Sequence, residues 1–307
     1  MALAACDTTT REACRMVRRA EQLADTLPDS TARLIDSVLR MPASFSERER
    51  MDMALLQAEA LFGDCGDAIS PIMDDDFFDD KGNLSTSPEL ERAAAYYAKK
   101  KQYAKAAHAA LYSGFVQQHY NEKESAMRSF KEAEQYGKLV ADSLAVAQAE
   151  YWMGKMLYDE GREKEALNSI MISENFIGDR YADRASIENS KAVIYILMSQ
   201  YDSAELCLQQ SMIHAEKGHS DKVRRKILNN YAVLYRIQGD YEHAIDCLHR
   251  MLEEPNLHEN DVLMLNLNLG NVYFDMKKIE LAASYYNYVE ELLFCGKGKD
   301  TDTIGCM

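Results

Sequence analysis

SQYDSA at 199–204 and GDYEHA at 239–244 are two copies of one phrase, a tyrosine followed three residues later by an alanine. KKIELA at 277–282 is a looser copy, and EGREKEA at 160–166 and NEKESA at 121–126 precede them. With the closing alanine as marker, Ala126, Ala166, Ala204, Ala244 and Ala282 lie 40, 38, 40 and 38 residues apart. Self-similarity at a period of about 20–50 residues signals an array in which each unit buries its apolar face against the next. Such arrays present surfaces for binding more often than centres for reaction.

The phrase extends outward in both directions. A small residue stands 12 positions before each marker, at Gly114, Gly154, Ala192, Ala232 and Gly270, and an aromatic about nine before it at Tyr195, Tyr235 and Tyr273. A large apolar residue follows four after it, at Phe130, Ile170, Leu208, Leu248 and Tyr286. A small residue lets one helix approach its partner closely, and the larger residues fill the groove beside it. This pattern resembles the tetratricopeptide repeat, and five units of it span 107–294. The family period is roughly 34 residues, so each unit here carries about four to six more, or about one extra helical turn. The long-period form resembles tetratricopeptide proteins of Bacteroidetes, found as envelope lipoproteins and as sensor regions of transcriptional regulators. The resemblance implies an all-α, right-handed superhelical solenoid of antiparallel helix pairs, about seven hairpins in all.

Residues 14–106 resemble degenerate versions of the same hairpin. Two short helices over 14–40 are expected to break at Leu27-Pro28-Asp29-Ser30, with Asp29 or Ser30 capping the second. Ser46 with Glu49 is a capping-box signature for a helix over about 47–63, and Ser87-Pro88-Glu89 opens another that runs to about Lys100. Between them, 64–86 holds glycines, Pro71 and the run DDDFFDD at 74–80, an irregular acidic insertion. Phenylalanines in that run occupy places where calcium ligands would stand, so a solvated loop or an acidic-aromatic docking segment is expected instead. Residues 295–307 are expected to form a flexible tail.

Composition excludes several functions. The chain has 307 residues, 14 glycines, 5 prolines and a formal net charge of −15. Phosphate contacts need clustered lysine and arginine, so nucleic acid is not expected as the ligand of this chain. No phosphate-cradling loop, dinucleotide fingerprint, nucleophile elbow or H-E-x-x-H motif occurs, and no enzyme activity or cofactor is expected. Seven cysteines show no C-x-x-C spacing. His243 and Cys247 share a helix face without an evident third ligand, so no metal is expected. Cys207 and Cys247 stand at equivalent places three residues after their markers, where a small apolar side chain packs.

Leu3-Ala4-Ala5-Cys6 has the form of a bacterial lipobox within an N-terminal tether over 1–13. Because no basic and apolar stretch precedes it, either the start falls inside a signal peptide or the match is accidental. On the first reading Cys6 carries lipid and the protein sits in the bacterial cell envelope. Cytoplasmic residence is the alternative.

In tetratricopeptide arrays the first helix of each pair lines a concave groove. Its open positions lie 18, 15, 11, 8 and 7 residues before the marker. The resemblance therefore implies a protein or extended-peptide partner on Phe115, Tyr151, Lys155, Tyr158, Asn189, Lys226, Asn229, Asn230, Arg236, Asn268, Asn271 and Phe274. Leu197 and Ile237 fall at the same projected positions. An amide both donates and accepts, so a row of asparagines is suited to a peptide backbone. Lys226, Asn229, Asn230 and Arg236 are similar to a carboxylate clamp. The other use for these amides is to satisfy neighbouring repeats. The expected function is an interaction scaffold; the alternative is the ligand-sensing region of a transcriptional regulator.

Overall fold

A computed structural model describes residues 2–23, 28–41, 45–62, 87–253, 257 and 259–297. Every element among the described residues is an α-helix, and there are fourteen. They are α1 (Ala2–Leu23), α2 (Pro28–Leu39), α3 (Glu47–Phe62), α4 (Ser87–Lys99), α5 (Tyr103–His119), α6 (Lys123–Val140) and α7 (Ser143–Asp159). Then follow α8 (Glu163–Phe176), α9 (Tyr181–Leu197), α10 (Tyr201–Lys217), α11 (Asp221–Gln238), α12 (Tyr241–Leu252), α13 (Glu259–Asp275) and α14 (Ile279–Lys297). The chain divides into two compact units, Met1–Ile187 and Glu188–Met307, with the boundary inside α9.

The five regular repeats are α5–α6, α7–α8, α9–α10, α11–α12 and α13–α14. All five marker alanines are at most 1% exposed, and each donates its amide to the carbonyl of the residue just before its helix. Where the small residue twelve before the marker is glycine, it packs on the large residue four after the marker. A Cβ added to Gly114 would stand 2.5 Å from the Phe130 ring, one on Gly154 2.8 Å from Ile170, and one on Gly270 2.5 Å from Tyr286. Close approach of the two helices is thus what the glycine is for.

The turn inside each repeat recurs equally. Asn121, Gly161, Ser199, Gly239 and Lys277, each five residues before its marker, adopt φ between 58° and 81°. The next amide then reaches back five positions, Glu122 to Gln117, Arg162 to Leu157, Gln200 to Tyr195, Asp240 to Tyr235 and Lys278 to Tyr273, at 2.8–2.9 Å. This is the left-handed helix ending that satisfies the last carbonyls. Only two of the five positions are glycine, so residue type alone does not reveal it.

In the first unit, α1–α3 bury Ala13, Ala20, Ile35, Val38, Met53 and Leu56 in one small core. Ser46 and Glu49 form the expected capping box, the Ser46 amide donating to Glu49 Oε2 at 2.8 Å and the Glu49 amide to Ser46 Oγ at 3.3 Å. Two boundaries differ from expectation. Helix α1 starts at Ala2 and takes in residues 2–13, and α2 starts at Pro28, which its missing amide suits to a first turn. The insertion at 64–86, including 74–80, and the tail beyond Lys297 lie outside the described residues; the helix α14 takes in 295–297. In the second unit, Leu228, Ala232, Ala244, Cys247, Leu248, Leu265, Leu269 and Val272 form a continuous core. Burial pushes the Cys247 thiol pKa up, which fits an apolar filler.

Candidate functional site: the faces of the first helices

The first helices of the early repeats do not offer the open face expected of them. Phe115 is 0% exposed, with its ring 5.5 Å from Phe62, 5.6 Å from Phe130 and 5.7 Å from Trp152. Leu111 is buried as well. His108 is held on both sides, its Nε2 2.9 Å from Asp142 Oδ2 and its Nδ1 3.7 Å from Glu59 Oε1. Hydrogen bonds to the two carboxylates, Asp142 first, raise its pKa to about 9. Helix α3 therefore covers the part of α5 that a groove would need, through Glu59 and Phe62. Phe115 is a core residue, not a binding residue.

The second repeat is similar. Tyr151 is buried, and Lys155 is half-buried with its Nζ 4.6 Å from the Trp152 ring centroid. Tyr158 is half-buried, and desolvation raises its pKa. Packing occupies Tyr151, and Lys155 is committed to an aromatic face.

The second unit is different. Asn230 Nδ2 donates to Asn189 Oδ1 at 2.8 Å, and Asn268 Nδ2 donates to Asn229 Oδ1 at 2.6 Å. In each bond an amide fifteen before its marker accepts from an amide fourteen before the next marker, so the two bonds form a ladder from α9 to α11 to α13. Arg236 Nη1 is 2.8 Å from Asp275 Oδ2, again joining α11 to α13. Tyr286 donates its hydroxyl to Asn271 Oδ1 at 2.9 Å. Asn266 is buried and bonds the backbone of its own helix at Val262.

These bonds correct the expected carboxylate clamp. Arg236 is neutralised by Asp275, and Asn229 and Asn230 hold adjacent repeats together. Lys226 is exposed at the start of the same face. The amides are not used up, because each has capacity for three further hydrogen bonds. Asn229, Asn230 and Asn268 are half-exposed, whereas Asn189 is nearly buried.

Beside the ladder runs an apolar row, of which the sequence reading names Phe274 as a binding residue and projects Leu197 and Ile237 onto the same face. Leu197 is 54% exposed, Ile237 42% and Phe274 50%, at seven, seven and eight residues before their markers. Val193 and Val233, eleven before theirs, are half-exposed between the two rows. The signal was present in the sequence, since the same position in the first two repeats holds His119 and Asp159.

Elsewhere, His243 Nδ1 is 2.7 Å from Asp240 Oδ2. Among the described residues no group of three or more His, Cys, Asp and Glu side chains converges as metal ligands, and no helix is long and apolar enough to cross a membrane. Cys6 lies in α1, and its side chain is outside the described residues.

No protein-family model matches the chain. Regulatory protein RapG of Bacillus subtilis (strain 168) is 23% identical over 193 residues, 60% of this chain and 51% of that protein. The chain thus spans about half the length of this curated relative. Among solved structures, the apo form of RapI superposes with a TM-score of 0.66 at 10% identity, over 93% of this chain and 99% of that one. The Rap conjugation gene regulator of plasmid pLS20, in complex with the Phr* peptide, gives 0.55 at 14% identity, over 94% and 76%. At these identities the likeness is one of fold. Five pairs of helices that repeat the same left-handed turn every 38–40 residues, three of them closed by a glycine against a large side chain of the partner helix, on a backbone shared with these proteins, make this chain a tetratricopeptide-like helical-repeat protein.

Proposed function

We propose that the chain is an interaction scaffold that binds an extended peptide, or an extended segment of a protein, on the first-helix faces of its second unit. The observation that carries this is the pairing of two parallel rows on α9, α11 and α13. One row consists of amides with unused donors and acceptors, and the other of large apolar side chains left in solvent. The first row suits a peptide backbone and the second suits its side chains. Binding changes no covalent bond of the ligand. The peptide complex of the pLS20 regulator, on a similar fold, supports the reading.

A second reading, the sensing part of a regulator, is favoured by the likeness to RapG, which is named a regulatory protein. It uses the same face and adds a protein whose activity follows the occupancy of that face. Lipid anchoring through Cys6 is a separate proposal that neither reading needs. Loss of lipid labelling in Cys6→Ser would support it, and absence of label on the wild type would reject it.

The test is capture of partners by the full chain beside Ile237→Asp and Phe274→Asp, with Leu206→Asp as control. Leu206 is 62% exposed on α10, away from the first helices. A partner lost from the first two variants and kept by the control is expected. Equal capture by all three would reject this face.

A further inference from the structure

We infer that the second unit reads its peptide in a three-residue register, accepting an apolar side chain at every third position. This rests on the proposed function and specifies its ligand. Direct side-chain hydrogen bonds join α9 to α11 and α11 to α13, so successive first helices are packed neighbours. Packed helices stand about 8–10 Å apart. Leu197, Ile237 and Phe274, one from near the end of each first helix, therefore repeat at about that interval.

A peptide crossing these helices must match the interval. In the polyproline II conformation a chain rises about 3.1 Å per residue with three residues per turn, so every third side chain returns to the same side after about 9 Å. A β-strand returns after two residues, about 6.8 Å, and falls out of step by the second helix. Polyproline II geometry also leaves every backbone amide and carbonyl without an internal partner. The amide ladder lies six to eight helical residues from the apolar row, about 9–12 Å along the helix axis, with the Val193 and Val233 row between. A peptide laid along the valines reaches the amides with its backbone on one side and the apolar row with its side chains on the other.

Charge restricts the residues between. On this face Glu188 pairs with Lys191 at 2.9 Å and Asp275 with Arg236 at 2.8 Å, so these charges balance one another. The face is thus not acidic, although the whole chain carries −15. The complementary ligand is an extended peptide with apolar residues at positions i, i+3 and i+6 and neutral residues between them.

Selection from a displayed library of random dodecapeptides on the full chain tests this, repeated on Leu197→Ser/Ile237→Ser and on Leu206→Ser, all three chains being compared by circular dichroism. Both target residues are exposed, so the double variant is expected to fold. Enrichment of the i, i+3, i+6 pattern is expected, with affinity roughly tenfold lower on the double variant, the scale of one apolar side chain returned to water. The Leu206→Ser chain should select the same peptides as the wild type. Peptides with another spacing, or selection indifferent to the double variant, would overturn the register while leaving peptide binding in place. No enrichment on any chain would overturn the proposed function as well.

Discussion

Ser199 adopts φ 58° at the turn between α9 and α10, where Gly161 and Gly239 occupy the equivalent turns at 70° and 81°. A residue with a Cβ is strained in that region by about 1–2 kcal/mol, and glycine is not. Ser199→Gly is therefore expected to stabilise the chain by about 1 kcal/mol, read as a higher urea midpoint. Gly161→Ser should lower the midpoint by a similar amount, and since a Cβ there meets nothing within 4 Å, the cost is one of backbone alone. The marker alanines and the small residues at Gly114, Gly154 and Gly270 were legible in sequence because their packing partners sit at a fixed distance within the same repeat. The turn was not, because three of its five residues are Asn, Ser and Lys.

At the scale of elements, the departure from a regular array is the placement of α3 on α5. Nothing in the 38–40-residue pattern announces it, since α3 carries no repeat signature, and Phe115 and Leu111 look like groove residues until another helix covers them. His108 reports this contact. Its protonated form is held by Asp142, which caps α7, and by Glu59 on α3, with the Tyr112 ring alongside. The folded pKa of about 9 lies above the ordinary 6.5, so the stabilisation is fully present below about 6.5 and is lost as pH rises through 9. His108→Gln is expected to lower the urea midpoint clearly at pH 6 and little at pH 10. A loss of equal size at both would mean that packing, and not charge, holds α3 here. The asparagines teach the same lesson at longer range. Their type was readable, but Asn189 and Asn230 stand 41 residues apart and Asn229 and Asn268 39 apart, and only the folded array shows that they bond each other first.

For the whole molecule, one fold serves the two units differently. The first unit spends the inner faces of α5 and α7 on an aromatic core, whereas the second leaves amides and large apolar groups on α9, α11 and α13 in reach of solvent. The fold class and the register of the five repeats over 107–294 were thus open to sequence reading, while the location of the proposed face was not. Hydrogen–deuterium exchange of the full chain, with and without a selected peptide, tests that location most directly. Protection is expected in 188–197, α11 and α13, with α10 and α12 unchanged. Protection confined to α10, α12 or the first unit would contradict the account.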